Sequence, residues 1–202
     1  MTIKGFTVPL GESLEIRGGL RQVGTGAEFL PARGTNGFFA RDIQVPGGLL
    51  GINFPLPGNA VTAKAQLVGP ASNIRVDLST NSVSVPVKLK LTNPLIGSGC
   101  QIASDSNPVR LNLITGTTAP PAPNTPISGS FGTPAFFDTY LTFTGARNVD
   151  NSFAVSGANS CGFFPIGILI DGLVNAKLRL PSAAGNNTMI VVNDVAIGSP
   201  PS

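Results

Sequence analysis

The chain contains no histidine and no tryptophan, one tyrosine, two cysteines, and only 11% charged residues over 202 positions. Each shortage excludes something. Without histidine there is no Ser-His-Asp or Cys-His nucleophile system. Two cysteines and no imidazole cannot supply a zinc site of ordinary ligand count. Neither the phosphate-cradling G-x-x-x-x-G-K-[ST] run nor the G-x-S-x-G nucleophile elbow occurs. Thirteen Lys+Arg are present but form no basic run. The nearest approach, Arg17, Arg21, Arg33 and Arg41, is spread through a Gly-rich segment, and a nucleic-acid surface needs clustered cations with stacking aromatics. The longest apolar stretch, Phe163–Val174, is broken by Pro165 and Asp171 and falls short of the ~18 residues that cross a bilayer as a helix. The expectation is no nucleic-acid partner, no integral membrane span, no metal, no cofactor and no catalytic residue.

What is present is glycine (25), proline (18) and 42% hydrophobic residues. The apolar content is too high for a disordered chain, so the glycines and prolines are read as turns. A chain of this length buries roughly 70% of its unfolded surface and can form one large domain. With so few charges, the surface must be built mostly of Ser, Thr, Asn, Gln and Gly. A net charge of +3 gives weak repulsion between neighbours.

From Val61 onward the pattern is alternation. Val61, Ala63, Ala65 and Leu67 share one face; Ile74, Val76 and Leu78 share the next. Val83, Val85, Val87, Leu89 and Leu91 make the longest face, with Lys88 and Lys90 opposite. Short turns join these runs, which predicts a half-buried antiparallel meander. Pro86 cannot donate to a ladder, so that strand is expected at an edge or bulged, with the lysines guarding it. Val109, Leu111 and Leu113 follow. Residues 117–128 hold four prolines and read as a stiff crossover, with an inter-domain linker as the rival. FFDTYLTFTGARN reads as one strand with Phe137, Thr139, Leu141 and Phe143 on one side. NAKLRLP and TMIVVNDVAI read as two more. Phe163–Val174 is a short helix or a buried strand, which periodicity cannot separate. Residues 1–60 are irregular and Gly-rich, short strands or an arm packed on a main β domain of 61–202. The fold class expected is all-β, an antiparallel β-sandwich or barrel-like fold of about nine to twelve strands, with one short helix near 163–174 as an option.

Candidate sites are few. Cys100 and Cys161 lie in Gly-rich, turn-like contexts, and are either a disulfide of an exported protein or two buried thiols. Phe163, Phe164, Ile166, Ile168 and Leu169 are a candidate wall for an apolar ligand, against the plainer reading of core. Asp105 and Asn107 in one turn, and Asn148 and Asp150 in another, place oxygens at alternate positions as a calcium site does, although Asx turns give the same pattern without metal. The ten acids are dispersed, so a carboxylate pair would have to come from distant strands. Asn186-Asn187-Thr188 is a glycosylation sequon that matters only in a glycosylating host. MTIKGFTVPL lacks a charged segment followed by an apolar one, so the chain reads as a mature form.

Three segments carry a resemblance: Asn93–Gly129, Val149–Gly162 and Ile170–Val195. A cysteine precedes an SNPxxLNLxTGTT-type segment, here Cys100 with Ser106–Thr118. A Pro-rich loop follows, and a second cysteine ends an NSFAxxGAxxCG-type segment, here Asn151–Gly162. This resembles a family of exported, uncharacterised actinobacterial proteins over about half of the chain, residues 93–195. The resemblance implies export and a Cys100–Cys161 bridge; it carries no activity. The resulting expectation is a non-enzymatic, secreted or cell-surface structural protein that self-associates. The alternatives are a binding module for an apolar or glycan ligand and a carboxylate-based hydrolase.

Overall fold

The computed structural model describes residues 2–3, 6–7, 14–23, 26–46, 48, 58–162 and 167–198. In chain order the strands are β1 (Thr2–Ile3), β2 (Phe6–Thr7), β3 (Leu14–Ile16), β4 (Gly18–Val23), β5 (Gly26–Pro31), β6 (Phe38–Ala40), β7 (Ile43–Gln44), β8 (Thr62–Leu67), β9 (Arg75–Asp77), β10 (Ser82–Thr92), β11 (Gln101–Ile102), β12 (Val109–Leu113), β13 (Thr133–Phe136), β14 (Tyr140–Asp150), β15 (Ala158–Asn159) and β16 (Asn187–Gly198). One helix, α1 (Gly167–Leu178), lies between β15 and β16. The fold is all-β and sandwich-like. One sheet runs β15-β11-β10-β8-β7, with β9 and β12 also paired to β10; the other runs β13-β14-β16-β1-β2. All pairings are antiparallel, and none of the described sheets closes into a barrel. The bridge Ile114–Val149 joins the two sheets at a corner, and Ser130–Arg147 ties the segment before β13 to β14.

The alternating runs account for the core. Val85, Val87, Leu91, Val109, Leu111 and Ile102 of the larger sheet pack with Met189, Phe153 and Val155. Each such side chain taken fully out of water contributes about 1.5–3 kcal/mol. Phe29 and Phe38 from the first sixty residues join the same cluster. The short strands there pair as β3–β6 and β4–β5, while β1 pairs β16. The proline-rich segment is a crossover held to the body. Asn124 Nδ2 donates to the carbonyls of Asn151 and Asn187, Asn151 Nδ2 donates to Thr125, and Thr117 bridges Ser128.

Four local expectations change. β10 is not an edge. It is paired on both sides, by β8 and β9 on one and β11 and β12 on the other. Pro86 is tolerated because its carbonyl accepts from Val68, so its donorless nitrogen faces the break between β8 and β9. Lys88 therefore guards no edge; it pairs with Asp105 at 2.8 Å. Leu78 lies in the turn after β9 and is exposed, whereas Ile74 is buried. The run from Phe137 is not one strand: Phe137 N donates to Tyr140 O across a tight hairpin, splitting it into β13 and β14.

NAKLRLP is not a strand. Asn175–Leu178 end α1, and Arg179 takes positive φ (54°). Leu180 N donates to Asn175 O and Arg179 N to Ala176 O, the double bond of a Schellman cap, after which Pro181 cannot continue the helix. The alternation of Lys177, Leu178, Arg179 and Leu180 imitates a strand over too short a window. The helix occupies 167–178, four residues later than the apolar run suggested.

Candidate interaction surface

The second sheet is longer than the body that covers it. β14 and β16 stay in register from Asp150–Met189 to Ala146–Asn193, then slip by a bulge between Phe143 and Ala146. Gly145 at the bulge has φ +67°, and its N–H donates to Asp194 Oδ1 at 2.8 Å. A bulge bends its strand and increases twist. Beyond it, β13, the outer half of β14 and the outer half of β16 form a three-stranded arm.

Directly opposed residues of an antiparallel sheet share a face. In the arm the rows are Pro134, Phe143, Val195 and Phe136, Leu141, Ile197. They continue the face that carries Met189 and Val191 in the core, but nothing described packs over them so closely: β13 is exposed throughout and Phe136 is 81% exposed. The other face shows Ile190 and Val192, the latter 69% exposed. At the tip Phe137 stacks on Tyr140 with ring centroids 4.5 Å apart, and Phe131 leans on Phe143 at 6.2 Å. Five of the chain's aromatic residues thus fall between 131 and 143, where Asp138 is the only charge. Sequence reading missed this arm. The signal was there in the aromatic density of FFDTYLTF and in a final strand without lysine or proline.

A second apolar face belongs to α1. Ile168, Leu169 and Leu173 point outward, Ile168 at 85% exposure. Val174 and Ile170 face the core instead. Asn175 ties the helix to β15, its Oδ1 accepting from Ala158 N and its Nδ2 donating to Ala158 O. Phe163, Phe164 and Ile166, the rest of the candidate apolar wall, lie outside the described residues.

The cysteines form a disulfide, Cys100–Cys161, across 61 residues of sequence. Both are buried. Leu91 N donates to Cys100 O, Cys161 N donates to Asp171 Oδ1, and Gly162 N donates to Ile96 O. The bridge therefore ties the β10–β11 turn to the segment leading into α1.

Several of the buried polar side chains hold backbone groups. Asn187 is wholly buried; its Nδ2 serves the carbonyls of Phe153, Ser182 and Ala183, and its Oδ1 accepts from Ser182 Oγ. Of the four candidate calcium residues, Asp105 pairs with Lys88, and the carbonyl of Asn107 accepts from Ser156 Oγ. Asn148 Nδ2 donates to Asn81 O, and Asp150 accepts from Asn112 N and Ser152 N. Asp105 and Asn107 stand in a loop and the other two on β14. Among the described residues no three acids or cysteines converge as metal ligands. Glu15 and Glu28 pair with Arg17 and Arg21. Asp77 accepts from Ser79, and hydrogen bonds from Ser79 and then Thr80 hold its carboxyl below the ordinary carboxylate range. Comparison of the chain with protein-family models, curated proteins and solved structures gave no match.

Proposed function

We propose that the protein is a non-enzymatic, exported structural subunit of the cell surface that associates with copies of itself. The observation that carries this reading is the arm: an apolar, nearly charge-free sheet extension whose aromatic tip stands clear of the body. Exposed apolar patches of this kind mark interaction sites in soluble proteins. Export is supported by the disulfide, which persists in oxidising compartments. The non-enzymatic part is supported by what the acids do, since Asp77, Asp150, Asp171 and Asp194 each accept from backbone N–H groups. Size-exclusion chromatography with light scattering on oxidised protein tests it. A mass at a multiple of 20.6 kDa is the expected result, and a monomer at every accessible concentration would refute self-association.

The outward face of α1 favours a second reading, a binding module for an apolar ligand. Native mass spectrometry of purified protein separates the two. A bound small molecule lost on Leu169→Ser would support the binding module, and an oligomer free of ligand supports the structural subunit.

A further inference from the structure

Among the asparagines of the chain, only Asn36 is followed by glycine. The pair sits in the turn between β5 and β6. Asn36 is exposed, while Gly37 and Phe38 are buried. Gly37 takes φ +72°, the left-handed region that favours glycine. A Cβ there would come within 2.6 Å of the Phe29 ring, and Gly37 O accepts from Arg17 N at 2.8 Å. The packing therefore demands glycine at 37, and the fold carries an exposed Asn-Gly bond that it cannot replace at the glycine.

An asparagine carboxamide is open to attack by the backbone nitrogen of the next residue, which closes a succinimide ring. A side chain on that next residue hinders the approach, and glycine has none. Two hydrogen bonds around Asn36 serve this reaction. Phe38 N donates to Asn36 Oδ1 at 3.1 Å, so an N–H already points at the oxygen that gains negative charge when Cγ is attacked. Gly37 N donates to Thr35 Oγ1 at 3.1 Å, and that hydroxyl donates to Ala32 O. The attacking nitrogen is thus bonded to an exposed side chain and not to a neighbouring strand. Asn81, Asn148, Asn151 and Asn187 are buried instead, and each precedes a residue with a Cβ.

We infer that Asn36 is a site of spontaneous deamidation in the folded protein. Gly37 N bonds to Asn36 Cγ and gives its proton to water. The Cγ–Nδ2 bond then breaks, and the leaving nitrogen takes a proton from water and departs as ammonia. A second water opens the ring. Breaking the new Cγ–N bond leaves an aspartate at this position. Breaking the original C–N bond leaves an isoaspartate, with the main chain running through the side chain. Aspartate keeps an oxygen for Phe38 N. Isoaspartate adds a methylene to the main chain immediately before Gly37, whose place is fixed by Phe29 and Arg17. Gly37 must shift, and with it Phe38, which pairs with Ile16 and enters the core. The inference goes beyond self-association and does not depend on it.

The test incubates the full oxidised chain, folded, in mildly alkaline buffer, beside the same chain in urea, and maps both by peptide mass. Asn36 is expected to convert from amide to acid faster than any other asparagine of the folded protein, by about tenfold or more, the effect of one hydrogen bond to a developing charge. An isoaspartyl-specific methyltransferase should label the same peptide, and the amides of Arg17 and Phe38 should exchange faster in aged protein. Asn36→Ser keeps an oxygen for Phe38 N but has no carboxamide, and should abolish both the mass change and the label. Conversion at Asn36 in urea but not in the folded chain would mean that the turn blocks the attack, and would overturn the inference. So would faster conversion at another asparagine of the folded protein.

Discussion

Removing the Cys100–Cys161 bond is the perturbation whose size follows most directly from the fold. The two cysteines stand 61 residues apart in sequence, so the bridge closes a long loop in the unfolded chain. The loop-entropy treatment gives about 4 kcal/mol at 25 °C for a loop of that length. The double variant Cys100→Ala, Cys161→Ala is the right probe, because it leaves no free thiol to exchange. In the native state the surrounding hydrogen bonds survive the change. Leu91 N still has the carbonyl at 100, Asp171 still has the N–H at 161, and Gly162 N still has Ile96 O. The loss should therefore act mainly by freeing the unfolded chain. Against the roughly 5–15 kcal/mol total of a typical domain this is a large share. For a chain of this size it corresponds to a fall of roughly 8–16 °C in Tm. Urea unfolding followed by circular dichroism checks it. The midpoint should fall and the slope should rise, since an uncrosslinked chain exposes more surface. A loss below about 1 kcal/mol would refute the loop-entropy reasoning. So would a large loss accompanied by collapse of the near-UV signal in the absence of urea, which would mean that the bond shapes the native packing itself.

Three further changes probe other links. Asn187→Ala takes the Asn187 donor from the carbonyl of Phe153 and one of the donors from those of Ser182 and Ala183 in a fully buried site, and should cost about 3 kcal/mol by urea unfolding. Gly129→Ala places a methyl group against the carbonyl oxygens of Arg147 and Ile114, the latter 2.7 Å away, where the two sheets meet. It should destabilise by about 2 kcal/mol or more and speed amide exchange at Val149. Because hydrogen bonds from Ser79 and Thr80 depress Asp77, that carboxylate favours the folded state above its ordinary value, and the contribution is lost as pH falls through the lower folded value. Ser79→Ala should raise the Asp77 titration midpoint toward the ordinary range, read by NMR.

Strand position and core face were legible wherever one face is buried. Val61, Ala63, Val85, Val87, Leu91, Val109 and Leu111 all alternate in sequence and all enter the core. The partner of each strand was not legible. Pro86 marks a missing donor, but whether that donor would face water or merely a gap between β8 and β9 depends on residues ten or more positions away. The arm failed for another reason. Its residues alternate like a half-buried strand on both sides of a tight turn, and the turn Asp138–Thr139 lacks the glycine that usually announces one. The helix end at Arg179 failed because a positive φ at a non-glycine residue leaves no trace in composition.

The distribution of charge ties these features together. Inside the body, polar demand is met by neutral amides: Asn93, Asn124, Asn151, Asn175 and Asn187 reach across the chain to backbone groups that no strand satisfies. A carboxylate placed there would need a cation or several N–H donors to offset its desolvation. Amides meet the same demand without charge, and the low charged content follows. The sheet edges differ in a way that charge economy does not explain. β7 and β15 end their sheet in two residues each, too short to template another strand. The β4–β5 ribbon carries the Arg21–Glu28 pair. β13 has its proline. β16 alone among these is long, straight on its outer side and unmarked. From Ile190 to Gly198 no described strand lies on its outer side, and a lysine at Val192 would mark it as the other edges are marked.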